Sequence, residues 1–494
     1  MKEELKLIKR ANTKLLTLLS LCFLLCCLIW VSPLFGFPFS LSYNFLENSP
    51  ETKDYLYEKV DVHVDVEVGS NSLILSSGSS IGALDCDRSH FRTDICYMKG
   101  DIRTRPSSSS IFLYRSTNPK SSIEFPPSLE QEEQELQHET IKPYTREWET
   151  SIMNTIDELH LISKYKPLKD SHHKCDVFHN VRAIFFSTGG YAGNVYHEFN
   201  DGIIPLYITS RHFNGKVIFI ILEYHKWWYT KYAQILSQLS DYPPIDFYAN
   251  PKRTRCFKEA IVGLKIHNDL TVDPPSIQGS QASILDFRNL LAQACEPRVS
   301  YLSPSLKSEE NLEIKKPKLV LLSRKGSRSI TNEHSLVKLA QKIGFHVQIL
   351  KPSRETELAS MYKVLSTSDV MVGVHGAAMT HFLFLKPGSI LIQVIPLGTE
   401  WASETYYGEP AKKFGLKYVT YKIDPKESSL YYKYDENDAV LTDPTSMNKK
   451  GWEFTKRIYL DDQKVTLDLE RFKLVLARAY NDCSINSRNT ARAS

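Results

Sequence analysis

The stretch Met371–Pro387, MVGVHGAAMTHFLFLKP, sets the tightest limit on what this chain can fold into: an apolar strand runs into a His-Gly-Ala-Ala turn and on into a helical pattern. The strand, Asp369–Val374, is apolar almost throughout, as strands buried on both faces of a parallel sheet are. Gly376 lets the backbone turn tightly, and N–H groups at the start of the following helix suit an anion. That junction is where α/β enzymes bind phosphate. The plainer reading is a packed strand-to-helix turn capped by His375.

The same alternation recurs along the chain. Ala183–Ser187 and Val217–Leu222 read as strands around a helix from about Val195 to Arg211, and Lys318–Ser323, His346–Leu350, Val370–Val374 and Ile390–Ile395 read as strands between amphipathic stretches. A polar, Lys/Glu-rich segment, 300–317, separates the two series as a linker. The expectation is an α/β protein of two Rossmann-like domains, 81–299 and 318–494, with a ligand in the cleft at the carboxyl ends of their strands. A final helix closes the second domain, preceded by a short strand at Ile458–Leu460. Ser107–Ser110 and the acidic run Glu130–Glu139 read as loops or solvated insertions.

At 494 residues the chain is too long for one typical core. Its net charge is +4, from 61 basic and 57 acidic residues, which provides no basic field of the kind that drives nucleic-acid binding. Lys2, Lys6, Lys9, Arg10 and Lys14 precede an uncharged run, Leu15–Phe37, and the next basic residue is Lys53. This asymmetry predicts a cytoplasmic tail over 1–14, a single N-in, C-out anchor over 15–37 and a stem over 38–80. A cleaved signal peptide is the rival, but the run exceeds the usual apolar core and Ser32-Pro33-Leu34-Phe35 offers no small-x-small cleavage site. Outside the anchor lie Cys86, Cys96, Cys175, Cys256, Cys295 and Cys483, an even set that an oxidising compartment would join as disulfides. Cys86 and Cys96 form the natural local pair among the 15 connectivities that six cysteines allow.

Besides the Met371–Pro387 stretch, two segments carry chemistry. Ser187–Asp201, STGGYAGNVYHEFND, follows a strand, supplies Gly189, Gly190 and Gly193, and enters a helix with Asn194, His197 and Asp201 at spacings of three and four. A carboxylate one turn from an imidazole accepts its ring N–H, fixes the tautomer and raises its basicity, as a general base for a hydroxyl requires. Glu198 is the second choice for that base, and a polar helix face with Asn194 as its cap is the structural alternative. Leu322–Asn332, LLSRKGSRSITN from Leu321, ends another strand with Arg324, Lys325 and Arg328 before a helix that begins near Asn332 or Glu333. Fork-shaped guanidinium groups there would clamp a diphosphate, although a solvated basic loop has the same composition. A diphosphate held by a divalent cation would call for an Asp-x-Asp at a strand end; Asp85-Cys86-Asp87 is the sole such triplet and wraps a cysteine, so no metal is expected.

The Leu84–Cys96 segment, GGYAGNVYHEFNDGIIPLYITSR, LLSRKGSRSITNE and VGVHGAAMTHFLFLKPGS together resemble the plant branch of family-61 glycosyltransferases, from about Ile81 to Cys483. The resemblance implies a Golgi type II membrane protein, a two-domain GT-B fold, and inverting transfer from a UDP-sugar without a metal or other cofactor. The tail from Leu416 to Trp452 is similar to the clade that decorates xylan with xylose or arabinofuranose, nearest to enzymes that place β-1,2-xylose, including on mucilage xylan. Relatives that xylosylate N-glycan cores or add GlcNAc to proteins share the central blocks, and Met379-Thr380-His381 departs from the Leu-Thr-Asn of many of them. On this resemblance a UDP-pentose, foremost UDP-xylose, lies against Arg324, Lys325, Arg328, Asn332, His375, Gly376 and Ala377. The xylan acceptor meets His197 and Asp201. The rival of another class is a non-catalytic, membrane-anchored subunit that organises other xylan-synthesis proteins.

Overall fold

The computed structural model describes residues 82–115, 135–165, 174–273, 282–302 and 316–493. The expected tail, anchor and stem lie outside these residues, and among them no helix is long and apolar enough to cross a membrane. The architecture is mixed α/β, with two sheets.

The first sheet is built from β1 (Ala83–Asp87), β2 (Ile95–Arg105), β3 (Ser110–Arg115), β4 (Glu135–Ile141), β5 (Leu159–Tyr165), β6 (Val177–Phe178), β7 (Arg182–Ser187), β8 (Val217–Leu222), β9 (Ile245–Asp246) and β10 (Arg255–Val262). Its order is β4-β5-β3-β2-β10-β7-β8-β9, with β1 on β2 and β6 on β10. Only part of it is Rossmann-like. β10, β7, β8 and β9 run parallel, whereas β1, β2 and β3 form an antiparallel meander, and β2 joins β10 antiparallel. Short connections explain the difference: β2 and β3 are separated by a tight turn at Pro106–Ser109, far too short for the crossover that parallel strands require. Ser107 to Ser109 is therefore a turn, as expected, but the described part of the acidic run is not a loop. Glu135–Glu139 lies in edge strand β4, with Glu135 and His138 exposed.

The second sheet, β11 (Lys318–Leu322), β12 (His346–Leu350), β13 (Val370–Val374), β14 (Ile390–Ile395) and β15 (Lys417–Lys422), is wholly parallel in the order β12-β11-β13-β14-β15. The helix Ile284–Leu302 runs through Ser300-Tyr301-Leu302, so the first residues of the expected linker are helical. Ile458–Leu460 is not a strand but part of a π-helical turn, Lys456–Asp461, where Tyr459 is fully buried against Gly398. The closing helix is Leu469–Ala493.

One apolar core joins the sheets: Phe186 and Phe219 of the first and Val320, Met371 and Leu391 of the second belong to the same buried cluster, bridged by Phe199, Phe287, Phe382 and Phe384. Phe199 meets Tyr232, Phe287 and Phe384 edge-on at 5.9–6.4 Å. Disulfides pin the first sheet. Cys86 and Cys96 are direct partners across β1 and β2, and Cys175–Cys256 ties the approach to β6 onto β10. Cys295 and Cys483, expected to be paired as well, are buried thiols. They sit in separate helices, Ile284–Leu302 and Leu469–Ala493, and serve as small apolar side chains, Cys483 within the core of the second sheet.

Candidate active site

The strand β7 delivers the first focus. Its glycine-rich turn is shaped by close packing: a Cβ on Gly190, at φ +60°, would lie 2.7 Å from the Tyr144 ring. Three of the turn's N–H groups bond to protein, Gly189 to the Ser187 hydroxyl, Tyr191 to the Tyr144 hydroxyl and Gly193 to Glu198. Asn194 takes the structural alternative: its side chain accepts from Tyr196 N–H at 3.1 Å and caps the helix. Glu198 is also corrected. It is buried, with its carboxylate accepting from Gly193 N–H at 2.9 Å and from the Tyr232 hydroxyl, which fixes the turn and leaves it unsuited to act as base.

His197 and Asp201 meet as the spacing predicts, His197 Nδ1 to Asp201 Oδ2 at 2.6 Å. The helix passes through a π-turn at Glu198–Ile203 just before Pro205. Proline cannot donate to the carbonyl four residues back, that of Asp201. The Thr145 hydroxyl donates to it instead, at 2.8 Å, and so anchors the backbone of the carboxylate residue.

Around Asp201 stand two residues the sequence reading missed, Arg92 and Arg146. Arg146 Nη1 is 3.2 Å from Oδ2, Arg92 Nη2 is 3.5 Å from Oδ1, and Asn200 Nδ2 donates to Oδ1 at 2.7 Å. Arg146 also pairs with Glu149, whose other oxygen accepts from the Tyr191 hydroxyl at 2.9 Å. Tyr191 stacks on His197 at 4.0 Å and 15°. Burial pushes the Asp201 carboxyl up, but Arg146, His197 and Arg92 outweigh it and hold the group below the usual carboxylate range. Burial lowers His197, assisted by Arg146, and outweighs the opposite pull of Asp201. The result is a neutral imidazole whose Nδ1–H donates to Asp201 and whose Nε2 lone pair is ready to take a proton.

The second focus follows β13. Gly376 has φ +146°, and a Cβ there would lie 2.4 Å from Arg324 Nη1 and 3.1 Å from Arg328 Nη1; glycine admits both guanidiniums to the backbone. The segment Ala377–Phe384 begins at once, as a 3₁₀ helix, with Ala377 and Ala378 half-exposed and their N–H groups in the first turn, where no intrahelical carbonyl reaches them. Arg324 therefore adjoins a set of amides suited to an anion. Lys325 is exposed on the same loop. Arg328 is buried in a left-handed conformation, φ 53°, with Nε donating to the Leu460 carbonyl at 2.9 Å and Nη1 to the His375 carbonyl at 3.1 Å. It braces the turn and contributes charge. Asn332 is corrected outright: its amide donates to the Leu467 carbonyl and accepts from the Leu467 N–H, at 2.8 and 3.0 Å, which fastens the loop to the segment before the closing helix.

His375 is buried with Nδ1 3.1 Å from both Gln393 Nε2 and Ser403 Oγ. Burial, then Arg328 and Arg324, push it down to about 3. It is neutral, with Nδ1 accepting and the proton on Nε2. Tyr418 holds the other end of Gln393 at 2.8 Å. His381, in the departing Met379-Thr380-His381 triplet, is likewise buried and donates Nδ1–H to the Ala378 carbonyl at 2.8 Å, a local tie within the turn.

The two foci adjoin. The Val195–His197 turn packs on Ala377–Phe384, and Tyr196 contacts Tyr407 at 5.9 Å, which in turn meets His375 edge-on at 5.5 Å. Among the described residues no group of three or more His, Cys, Asp or Glu side chains is disposed to share a metal ion. Asp85 and Asp87 flank the Cys86 disulfide in β1, where Asp87 accepts from Ser89.

Comparison with known proteins matches residues 195–392 to the model of the family Glycosyltransferase 61, a span that holds His197, Arg324 and His375. The chain is 53% identical, over 96% of its length and 92% of the relative's, to the xylan glycosyltransferase MUCI21 of Arabidopsis thaliana. It is 36% identical to the alpha-1,3-arabinosyltransferase XAT2 of Oryza sativa subsp. japonica, over 79% of this chain and 63% of the relative. It is 35% identical to the beta-1,2-xylosyltransferase XYXT1 of the same plant, over 81% of this chain and 84% of the relative. A hydrogen-bonded His–Asp pair set against an arginine-lined strand-to-helix turn, on a chain this similar throughout to such enzymes, makes the protein a glycosyltransferase of family 61.

Proposed function

We propose that the chain is an inverting pentosyltransferase that adds a side chain, foremost xylose from UDP-xylose, to the xylan backbone. The observation that carries this is the His197–Asp201 pair packed directly beside the Gly376 turn. The donor diphosphate lies against Arg324 and the Ala377 and Ala378 amides, with Lys325 at the rim. His197 Nε2 takes the proton from the acceptor hydroxyl as its oxygen bonds to the anomeric carbon. The bond from that carbon to the diphosphate breaks, its electron pair leaves with UDP, and the arginine and amides neutralise the new charge. In this scheme the leaving group needs no divalent cation. The two sheets correspond to the halves of a GT-B arrangement with the acceptor on the first and the nucleotide on the second. An anchor at 15–37, a lumenal catalytic body and residence in the Golgi membrane complete the proposal, and protease protection in microsomes tests that orientation.

The decisive experiment incubates the body from about residue 82 onward with xylo-oligosaccharides and a panel of UDP-sugars, with and without EDTA, read by mass spectrometry. Pentose transfer from UDP-xylose in EDTA is the expected result. Transfer from UDP-arabinofuranose instead would favour the second donor, which similarity to XAT2 keeps in view. Transfer to N-glycans but not to xylan would overturn the acceptor.

A further inference from the structure

Phe91, Trp148 and Trp401 are 64%, 38% and 65% exposed, yet each belongs to the site's own network of rings. On one side, Phe91 lies 5.8 Å from Trp148, and the Arg92 and Arg146 guanidiniums sit 5.2 and 4.6 Å from the Trp148 ring. Arg146 is 5.4 Å from Tyr191, which stacks on His197. On the other side, His197 meets Tyr196 at 5.1 Å, Tyr196 meets Tyr406 at 5.3 Å, and Tyr406 meets Trp401 at 5.6 Å. His197 is therefore the middle of a continuous line of contacting rings and guanidiniums, stacked at Tyr191 and edge-on or tilted elsewhere, whose two ends open to solvent.

Exposed aromatics away from the site's rings, such as Tyr432 at 83%, which meets only Tyr431 among the ring pairs of the described residues, are ordinary surface. Trp148 differs because two guanidiniums, both held by Asp201, fix its ring in place. A ligand meeting so rigid a plane loses little side-chain entropy. The chemistry follows from the placement. An aromatic face takes the apolar C–H face of a sugar ring, and a β-linked pentopyranose, with no exocyclic hydroxymethyl group, presents such faces along a chain. With one plane on each side of the base, the natural ligand is a chain that runs past His197 in both directions.

We propose that Trp148 with Phe91, and Trp401 with Tyr406, form two acceptor subsites flanking the reacting sugar, each holding a neighbouring β-linked pentose of the backbone. This rests on the acceptor reading above. It predicts that the enzyme acts within a chain and prefers longer acceptors.

The test compares Trp148→Ala, Trp401→Ala and the surface control Tyr432→Ala in transfer to xylobiose and xylohexaose, alongside cello- and manno-oligosaccharides. UDP affinity by calorimetry verifies that each variant is folded. KM for xylohexaose should rise about tenfold in both tryptophan variants, and much less for xylobiose, while Tyr432→Ala matches the parent. Trp148→Phe, which keeps a ring, should recover most of the loss. If the parent uses xylohexaose and the tryptophan variants keep its KM within about twofold, the subsites fall and the acceptor reading survives. If the parent uses another β-glycan and the variants lose that one with chain length, the subsites stand and xylan falls. An enzyme that accepts no oligosaccharide of any backbone removes both.

Discussion

His197 and His375 are the same side chain in two comparable places, each on the turn-and-helix segment that follows a parallel strand, His197 largely and His375 fully enclosed, and each is held neutral. Their partners differ. His197 faces a carboxylate, so burial and the Asp201 charge oppose each other and its proton affinity is only partly lost. His375 faces two arginines and neutral donors, so every influence after burial acts in the same direction and drives it to about 3. One histidine can gain a proton in a reaction cycle; the other can only donate or accept a fixed hydrogen bond. Neighbouring charge, not burial, separates a base from a brace.

The sharpest way to break this contrast is His197→Ala, which should reduce turnover by about 10²- to 10⁴-fold while leaving UDP affinity close to that of the parent. Normal turnover would remove His197 as base. Next comes Gly376→Ala. The new Cβ would collide with Arg324 in a left-handed backbone, and displacing one charged contact should weaken UDP binding by about one to two orders of magnitude by calorimetry. Unchanged affinity would take the turn out of the donor site. His375→Ala should cost about 1–3 kcal/mol of stability by leaving the Gln393 amide and Ser403 hydroxyl short of a partner, a loss read as a lower urea midpoint. Its acid limb in kcat/KM should stay where the parent's is; a displaced limb would mean that His375 titrates.

Much of this was legible in the sequence. Val217–Leu222, Val370–Val374 and Ile390–Ile395 occupy the expected spans, because buried parallel strands are continuous apolar runs bounded by polar turns, and the edge strand His346–Leu350 does so although much of it is exposed. His197 and Asp201 meet because helical spacing alone brings them together. Arg92 and Arg146 were hidden by topology: they lie 109 and 55 positions before Asp201 and reach it only once the first sheet is assembled. Trp148, two positions after Arg146, was the available signal, since an arginine beside a tryptophan stacks readily. Asn332 and Glu198 misled for the opposite reason. Each stands in a site-like segment, but its side chain is taken up by structural partners, both backbone groups of Leu467 for Asn332, and the Gly193 N–H and Tyr232 hydroxyl for Glu198. The antiparallel meander was missed because β2 changes along its length from an apolar run, Ile95–Met98, to charged residues at every second position from Lys99 to Arg105, so neither strand pattern holds throughout it.

The smallest expected effect is also the most discriminating, because it predicts a sign. The base must be neutral, and its proton affinity is depressed from the ordinary 6.5, so kcat/KM should fall as pH drops through a value below 6.5. Arg146 lowers His197 and Asp201 raises it. Arg146→Met should therefore shift the acid limb to higher pH, with Arg92 still beside Asp201, and Asp201→Asn should shift it to lower pH, in addition to slowing turnover through loss of the fixed tautomer. A pH series on the two variants reads both shifts against the parent. Displacements in opposite directions would identify the titrating group as one lying between Arg146 and Asp201, a position that His197 occupies; displacement in the same direction would assign the limb to another group and leave His197 without its role.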